Sequence, residues 1–194
     1  MALKATIHNF DVEISDVDRG VYETLALCVA RQPSETAPYM VTRLLAYCLE
    51  YREGIVFTEG VAAGDQPAVC VRDLTGRLTA WIEVGMPEAD RLHRGAKLAE
   101  RVAVYTHRDA DKLVRQLAGA KIHRASEIPI FAFGSGFVDT IAESIGRRSR
   151  ISLSVTERQL YVELDGKTFE TAIAEHRLPA DGHRAGLASA ADPR

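Results

Sequence analysis

With 194 residues, 46% of them hydrophobic, the chain is long enough to build one domain around a real core without disulfide or metal staples. Its formal net charge of −3 excludes a global basic field, so any polyanion must be held by a local patch. Cys28, Cys48 and Cys70 are scattered, with no CxxC pair and no His/Cys cluster, which argues against a structural zinc site and fits a reducing compartment.

Leu3, Ala5 and Ile7 alternate with polar residues, and Phe10, Val12 and Ile14 then carry the apolar role. That change of parity predicts a strand with a bulge near His8 and Asn9. Residues 16–20 read as a turn and Val21 to Arg31 as a second strand, completing a long hairpin. A helix follows over 35–50, capped by Ser34 or Thr36, with Val41, Leu44, Leu45 and Cys48 on one stripe. Ile55 to Thr58 is a short strand and 60–66 a Gly-containing loop. Pro67 to Arg72 and Leu78 to Val84 form a hairpin so apolar that both faces of its sheet are expected to be covered.

A helix over 87–99 carries acids in its first turn and Arg91, Arg94 and Lys97 after them, the order a helix dipole favours. Then come a strand over 102–106, a helix over 109–118, a strand over 128–133 and a helix over 137–145. A closing hairpin joins 151–156 to 160–164, and the Ala- and Gly-rich stretch 179–194 is expected to be a disordered tail. The opening residues do not form a signal peptide and no run reaches membrane-spanning length, so a cytoplasmic protein without membrane contact is expected.

The opening MALKATIHNFDVEISDVDRGVYE, with LCVARQPSETAPYMVTRLLAYCLE, VFTEG, DLTGRLTAWIEVGMPEADRLHRGAKLAERVAVYTH and SVTERQLYVELDG, resembles the bacterial YaeQ family from Met1 to about Gly166. The resemblance implies a PD-(D/E)xK nuclease-like fold. The expectation is therefore an α/β (α+β) protein with a restriction-endonuclease-like core. That core is an α-β-β-β-α-β mixed sheet flanked by helices, with an added N-terminal and C-terminal hairpin. It would span about 33–107 of a single domain over 1–178.

On that pattern the implied acids are Asp65, before the second core strand, and Glu83, ending the third; Glu59 and Glu35 fall at the same end of the sheet. Asp65, Glu83 and Glu59 would hold magnesium, which polarises the phosphate and lowers the pKa of the attacking water. The chain departs from the pattern where lysine is required, because that residue is Gly85; Arg91, Arg94 or Lys97 of the next helix would have to supply the cation. Each residue has a plainer reading. Glu83 pairs with Arg43 or Arg91, Asp65 and Glu59 are loop residues, Glu35 serves the helix dipole, and the basic residues form a solvated face. Trp81 is a core residue or a base-stacking one, and His107 has no acid or nucleophile at a usable spacing.

Two functions follow. One is a magnesium-dependent nuclease or nucleic-acid-processing enzyme. The other is a non-catalytic protein of the same scaffold that partners nucleic acid or the transcription machinery, with the N-terminal hairpin as a contact surface.

Overall fold

A computed structural model describes residues 4–58 and 65–179 of the chain. Strands β1 (Thr6–Asp16) and β2 (Val21–Arg31) pair antiparallel in unbroken register from Thr6↔Arg31 to Asp16↔Val21. The expected bulge is absent. His8 takes the inward position and Ile7 faces solvent, so one parity holds throughout β1. Its imidazole stacks on Phe10 and its Nδ1 lies 2.9 Å from the Gly146 carbonyl, which is how an inward histidine is tolerated.

Helix α1 (Ala37–Leu49) is capped by Thr36, whose hydroxyl accepts from the Tyr39 amide, with Pro38 in its first turn. Every residue from Met40 to Leu49 is buried, the mark of a helix enclosed on all sides. Strands β3 (Ile55–Phe57), β4 (Val69–Arg72) and β5 (Leu78–Val84) lead to α2 (Ala89–Leu98), β6 (Arg101–Thr106) and α3 (Ala110–Leu117). After a 3₁₀ turn (Ala125–Glu127) come β7 (Pro129–Phe133), α4 (Phe137–Ser144), β8 (Arg148–Thr156), β9 (Gln159–Leu164) and β10 (Lys167–Arg177).

All ten strands join one sheet in the order β2-β1-β8-β9-β10-β7-β6-β5-β4-β3. The sheet wraps around α1, which packs against β2 at one edge, β3 at the other, and β4, β5 and β6 between. The Arg43 guanidinium spans the two edges, donating to Ala30 O in β2 at 2.6 Å and to Thr58 O beyond β3 at 3.4 Å. The result is a nearly closed, barrel-like sheet around a central helix, with α4 beside α1. At the other end of α1, Glu50 accepts from Arg101 at 2.5 Å and from the Tyr105 hydroxyl at 3.0 Å. Helices α2 and α3 cover a second core on the outer face, around Trp81, Leu92, Val104, Leu113 and Ile130.

The expected restriction-endonuclease-like core, a mixed sheet flanked by helices, is not what the chain builds. The local order α1-β3-β4-β5-α2-β6 occurs, but its strands do not stand as a separate core. The reason is β10, an eleven-residue strand that the apolar pattern does not announce. Its first half pairs with β9 (Lys167↔Leu164 to Ala172↔Gln159) and its second half with β7 (Ile173↔Phe133 to Arg177↔Pro129). That single strand splices the N-terminal and C-terminal strands onto the middle of the chain and curls the sheet around α1. The tail expected over 179–194 lies, beyond residue 179, outside the described residues.

Gly54, which turns the chain from α1 into β3, has φ +82°, and a Cβ there would sit 1.9 Å from the Arg72 carbonyl oxygen. Gly54→Ala is expected to lower stability by roughly 3 kcal/mol, since both the left-handed backbone and a backbone clash oppose it. Gly20→Ala, also left-handed but in open space, should cost about 1 kcal/mol. Urea unfolding midpoints at constant slope check the pair. Equal losses would mean that the close approach to Arg72 contributes nothing.

Candidate functional site

Glu83 is the sharpest anomaly of the apolar strand β5, and its surroundings explain how it is borne. Trp81 and Glu83 share the outer face, beneath α2. Gly95 lets that helix lie directly on the indole, since a Cβ there would meet the ring at 2.6 Å. The close approach brings Arg91, one turn earlier, onto the carboxylate. Arg91 Nε donates to Glu83 Oε1 at 3.0 Å and its Nη2 to Oε2 at 3.2 Å, while Trp81 Nε1 donates to Oε1 at 2.7 Å. The same Nη2 donates to the Gln66 carbonyl at 2.5 Å, tying the hairpin entrance to the helix. Burial pushes the Glu83 carboxyl above its ordinary value, and Arg91 pulls it part of the way back.

A second buried carboxylate lies at the start of α1. Glu35 Oε2 accepts from Arg43 Nη2 at 3.1 Å and from the Gln32 amide at 3.2 Å, while Oε1 is buried without a partner. Burial raises this carboxyl too, against the pull of Arg43. Tyr39 feels both pairs. Burial pushes its phenol up to about 12, and the charges of Glu83 and Glu35 add to that.

His107, at the end of β6, completes the group. Its Nδ1 lies 2.8 Å from Thr42 Oγ1, and that hydroxyl lies 2.8 Å from the Pro38 carbonyl. The Thr42 hydroxyl thus has two partners within hydrogen-bond distance, the Pro38 carbonyl and His107 Nδ1, and the direction of the second bond follows the tautomer of the ring. His107 Nε2, too, is buried without a partner. Burial, and secondarily Arg108, lowers the His107 pKa and keeps the ring neutral. Glu35, Tyr39, Gly85 and His107 line one cavity of about 260 Å³, with Arg108 among its walls.

Of the residues expected from the sequence, the fold brings Glu83 and Arg91 into contact. Glu35 lies near both through Tyr39, but its own cation is Arg43. Asp65 is exposed, next to Gln66; Arg94 and Lys97 are exposed on α2. Glu59 lies outside the described residues. Among the described residues no group of three or more His, Cys, Asp or Glu is placed to hold a metal ion. Tyr39 and Thr42 do not stand out in the sequence, and His107 is set aside there because no acid or nucleophile lies at a usable spacing. The available signal was Thr42, a polar residue inside an apolar helix with His107 at a strand end, and no spacing rule connects positions so far apart. Chemically, the group sets a buried carboxylate oxygen and a buried imidazole nitrogen, both without a partner, on residues that line a cavity beside an aromatic ring, while each acid is paired with an arginine.

Among known proteins, a YaeQ protein from Salmonella typhi is 27% identical over 181 residues, covering 93% of this chain and all of that protein. One from Escherichia coli K12 is 38% identical over 107 residues, 55% of this chain and 59% of that protein. Both are described as uncharacterised. The crystal structure of YaeQ from Xanthomonas axonopodis pv. citri superposes with a TM-score of 0.82 at 25% identity, covering 90% of this chain and 99% of that one. That of YaeQ from Pseudomonas syringae gives 0.80 at 29% identity, covering 88% and 95%. No helix among the described residues is long and apolar enough to cross a membrane. The sequence model of the family described as YaeQ protein matches residues 1–173, and with that match the chain belongs to the YaeQ family.

Proposed function

We propose that this chain is a cytoplasmic protein that binds single-stranded nucleic acid without cutting it. The observation that carries the reading is the state of Glu83. Both its oxygens are taken, by Arg91 and by the Trp81 N–H, so the guanidinium serves as the cation that the buried acid needs. The cavity beside it suits one unstacked base. The Tyr39 ring runs along Gly85, where a Cβ would lie 3.7 Å from it, and offers a stacking face. Glu35 Oε1 and His107 Nε2, the latter in the tautomer that carries hydrogen on Nδ1, are buried without a partner and are the two acceptors this reading uses. An exocyclic amino group, as on cytosine or adenine, carries two such donors on one nitrogen, whereas uracil has only its ring N3–H. Arg108 at the wall and the exposed Arg94 and Lys97 are cations for the backbone.

The test is fluorescence anisotropy of labelled single-stranded oligomers. Cytosine- or adenine-rich strands should bind more tightly than uracil-rich ones, affinity should fall with salt, and Tyr39→Ala or His107→Ala should weaken binding about tenfold or more. Absence of affinity, or indifference to both substitutions, overturns the reading. A second reading, magnesium-dependent phosphodiester cleavage, rests on two buried carboxylates, Glu83 and Glu35, both acting on Tyr39. It requires Arg91 to release Glu83 to the metal, with Asp65 or Glu59 as further ligands. Cleavage in magnesium or manganese that disappears in a folded Glu83→Gln variant would establish it in place of the first.

A further inference from the structure

Strand β2 is the terminal strand of the sheet, and its free edge can be identified residue by residue. The Asn9 amide donates to the Arg147 carbonyl and the Val17 amide to the Val155 carbonyl, each at 2.9 Å, so the odd residues of β1 address β8. The even residues of β1 therefore address β2. Through the register Phe10↔Leu27 and Val12↔Leu25, the odd residues of β2 point back at β1. The even residues, Tyr22, Thr24, Ala26, Cys28 and Ala30, direct their N–H and C=O groups away from the sheet. Ala30 O, which accepts from Arg43 on that side, agrees with this parity. The open stretch is thus Tyr22 to Cys28.

Natural sheet edges are usually blunted by lysine, proline or a bulge. β2 has none of these: its register with β1 is unbroken, and the side chains on its open residues are Tyr, Thr, Ala and Cys. Tyr22 is 63% exposed, and Leu25 and Leu27 on the other row are only partly covered.

We propose that two copies of this chain associate by antiparallel pairing of β2 with β2, centred on Leu25. This register sets Tyr22 opposite Cys28 of the second copy and Thr24 opposite Ala26, each twice by symmetry. It satisfies every open main-chain group between Tyr22 and Cys28 and leaves the Ala30 carbonyl to Arg43. A register shifted one pairing step toward Ala30 competes with Arg43 for that carbonyl. No like charges meet within the paired stretch from Tyr22 to Cys28: Glu23, its one charged side chain, falls opposite Leu27 of the second copy. Leu25 faces itself as a non-hydrogen-bonded pair, with Cα atoms about 4.5 Å apart. The small net charge of −3 per chain sets little repulsion against the assembly.

The register makes a positional test possible, because a Cα separation of that size lies within disulfide reach and a diagonal one does not. In a Cys28→Ser background, Leu25→Cys is expected to oxidise to a covalent dimer, while Leu27→Cys, opposite Glu23 of the second copy, should not. Sedimentation should give twice the chain mass of 21.3 kDa for the unmodified protein at raised concentration. Ala26→Pro removes an outward N–H that β1 does not use and should return the protein to monomer; Thr24→Lys serves the same end should the proline variant not fold. A monomer at every concentration with no Leu25→Cys cross-link overturns the proposal. So does cross-linking of Leu27→Cys as readily as Leu25→Cys, or a dimer indifferent to both edge substitutions.

Discussion

Arg43→Ala is expected to cost about 4 kcal/mol, a large part of the 5–15 kcal/mol that hold a typical domain together. Arg43 is 1% exposed, and its guanidinium makes three kinds of contact at once. It neutralises Glu35, whose Oε1 is already without a partner. It accounts for the Ala30 and Thr58 carbonyls at the two edges of the sheet. It also lies over the Phe57 ring, 5.8 Å from its centre. Removing it leaves a buried charge, two edges no longer joined and a space where a long side chain stood. Replacing both partners, as Glu35→Leu with Arg43→Met, should recover most of the loss, because an apolar pair of similar volume carries no charge to desolvate. Denaturant unfolding of the two single variants and the double one measures this as a cycle. A loss below about 1 kcal/mol in Arg43→Ala would mean that Arg43 does not hold the seam.

Arg91→Ala should cost about 3 kcal/mol near neutral pH, toward the low end for a broken buried pair because Arg91 is itself 24% exposed. Its pH dependence carries a definite sign. Burial raises the Glu83 carboxyl above its ordinary 4.5, so the fold prefers the protonated form. Such a group contributes stability that is present below its unfolded pKa and is lost as pH rises through its folded one. Without Arg91 the folded pKa climbs further. The gap between Arg91→Ala and the parent should therefore be widest at neutral to mildly alkaline pH and close as the pH falls toward 4.5. Glu83→Gln added to Arg91→Ala should flatten that dependence. Unfolding midpoints across this range provide the check, and parallel pH profiles for parent and variant would contradict the account.

Much of the local structure is legible in the sequence, because local rules depend on neighbours a few residues away. The apolar stripe Val41, Leu44, Leu45 and Cys48 marks α1, whose described bounds are Ala37–Leu49. The doubly apolar run Leu78–Val84 marks a strand covered on both faces, and Ile82 and Trp81 fall in different cores as that requires. The parity of β1 is not legible locally, because His8, a polar residue, takes an inward place through the Gly146 carbonyl, a partner 138 positions away. β10 carries no clear period, because its burial alternates weakly along KTFETAIAEHR as it leaves β9 for β7 partway along.

The same distinction runs through the candidate site. That Glu83 is an acid in an apolar strand, and that Arg91 stands on the following helix, can be read from residue order, since strand and helix are adjacent in the chain. Which arginine each acid takes was settled in three dimensions. Glu35 has Arg43 and Glu83 has Arg91 because the sheet curls around α1 and Gly95 lets α2 rest on Trp81. The pairing of Thr42 with His107, and the cavity they share with Tyr39 and Gly85, likewise depends on a helix being enclosed by strands far from it in sequence. Periodicity reports which face of an element is apolar. Only closure of the sheet, driven by burying that helix on every side, decides which faces meet.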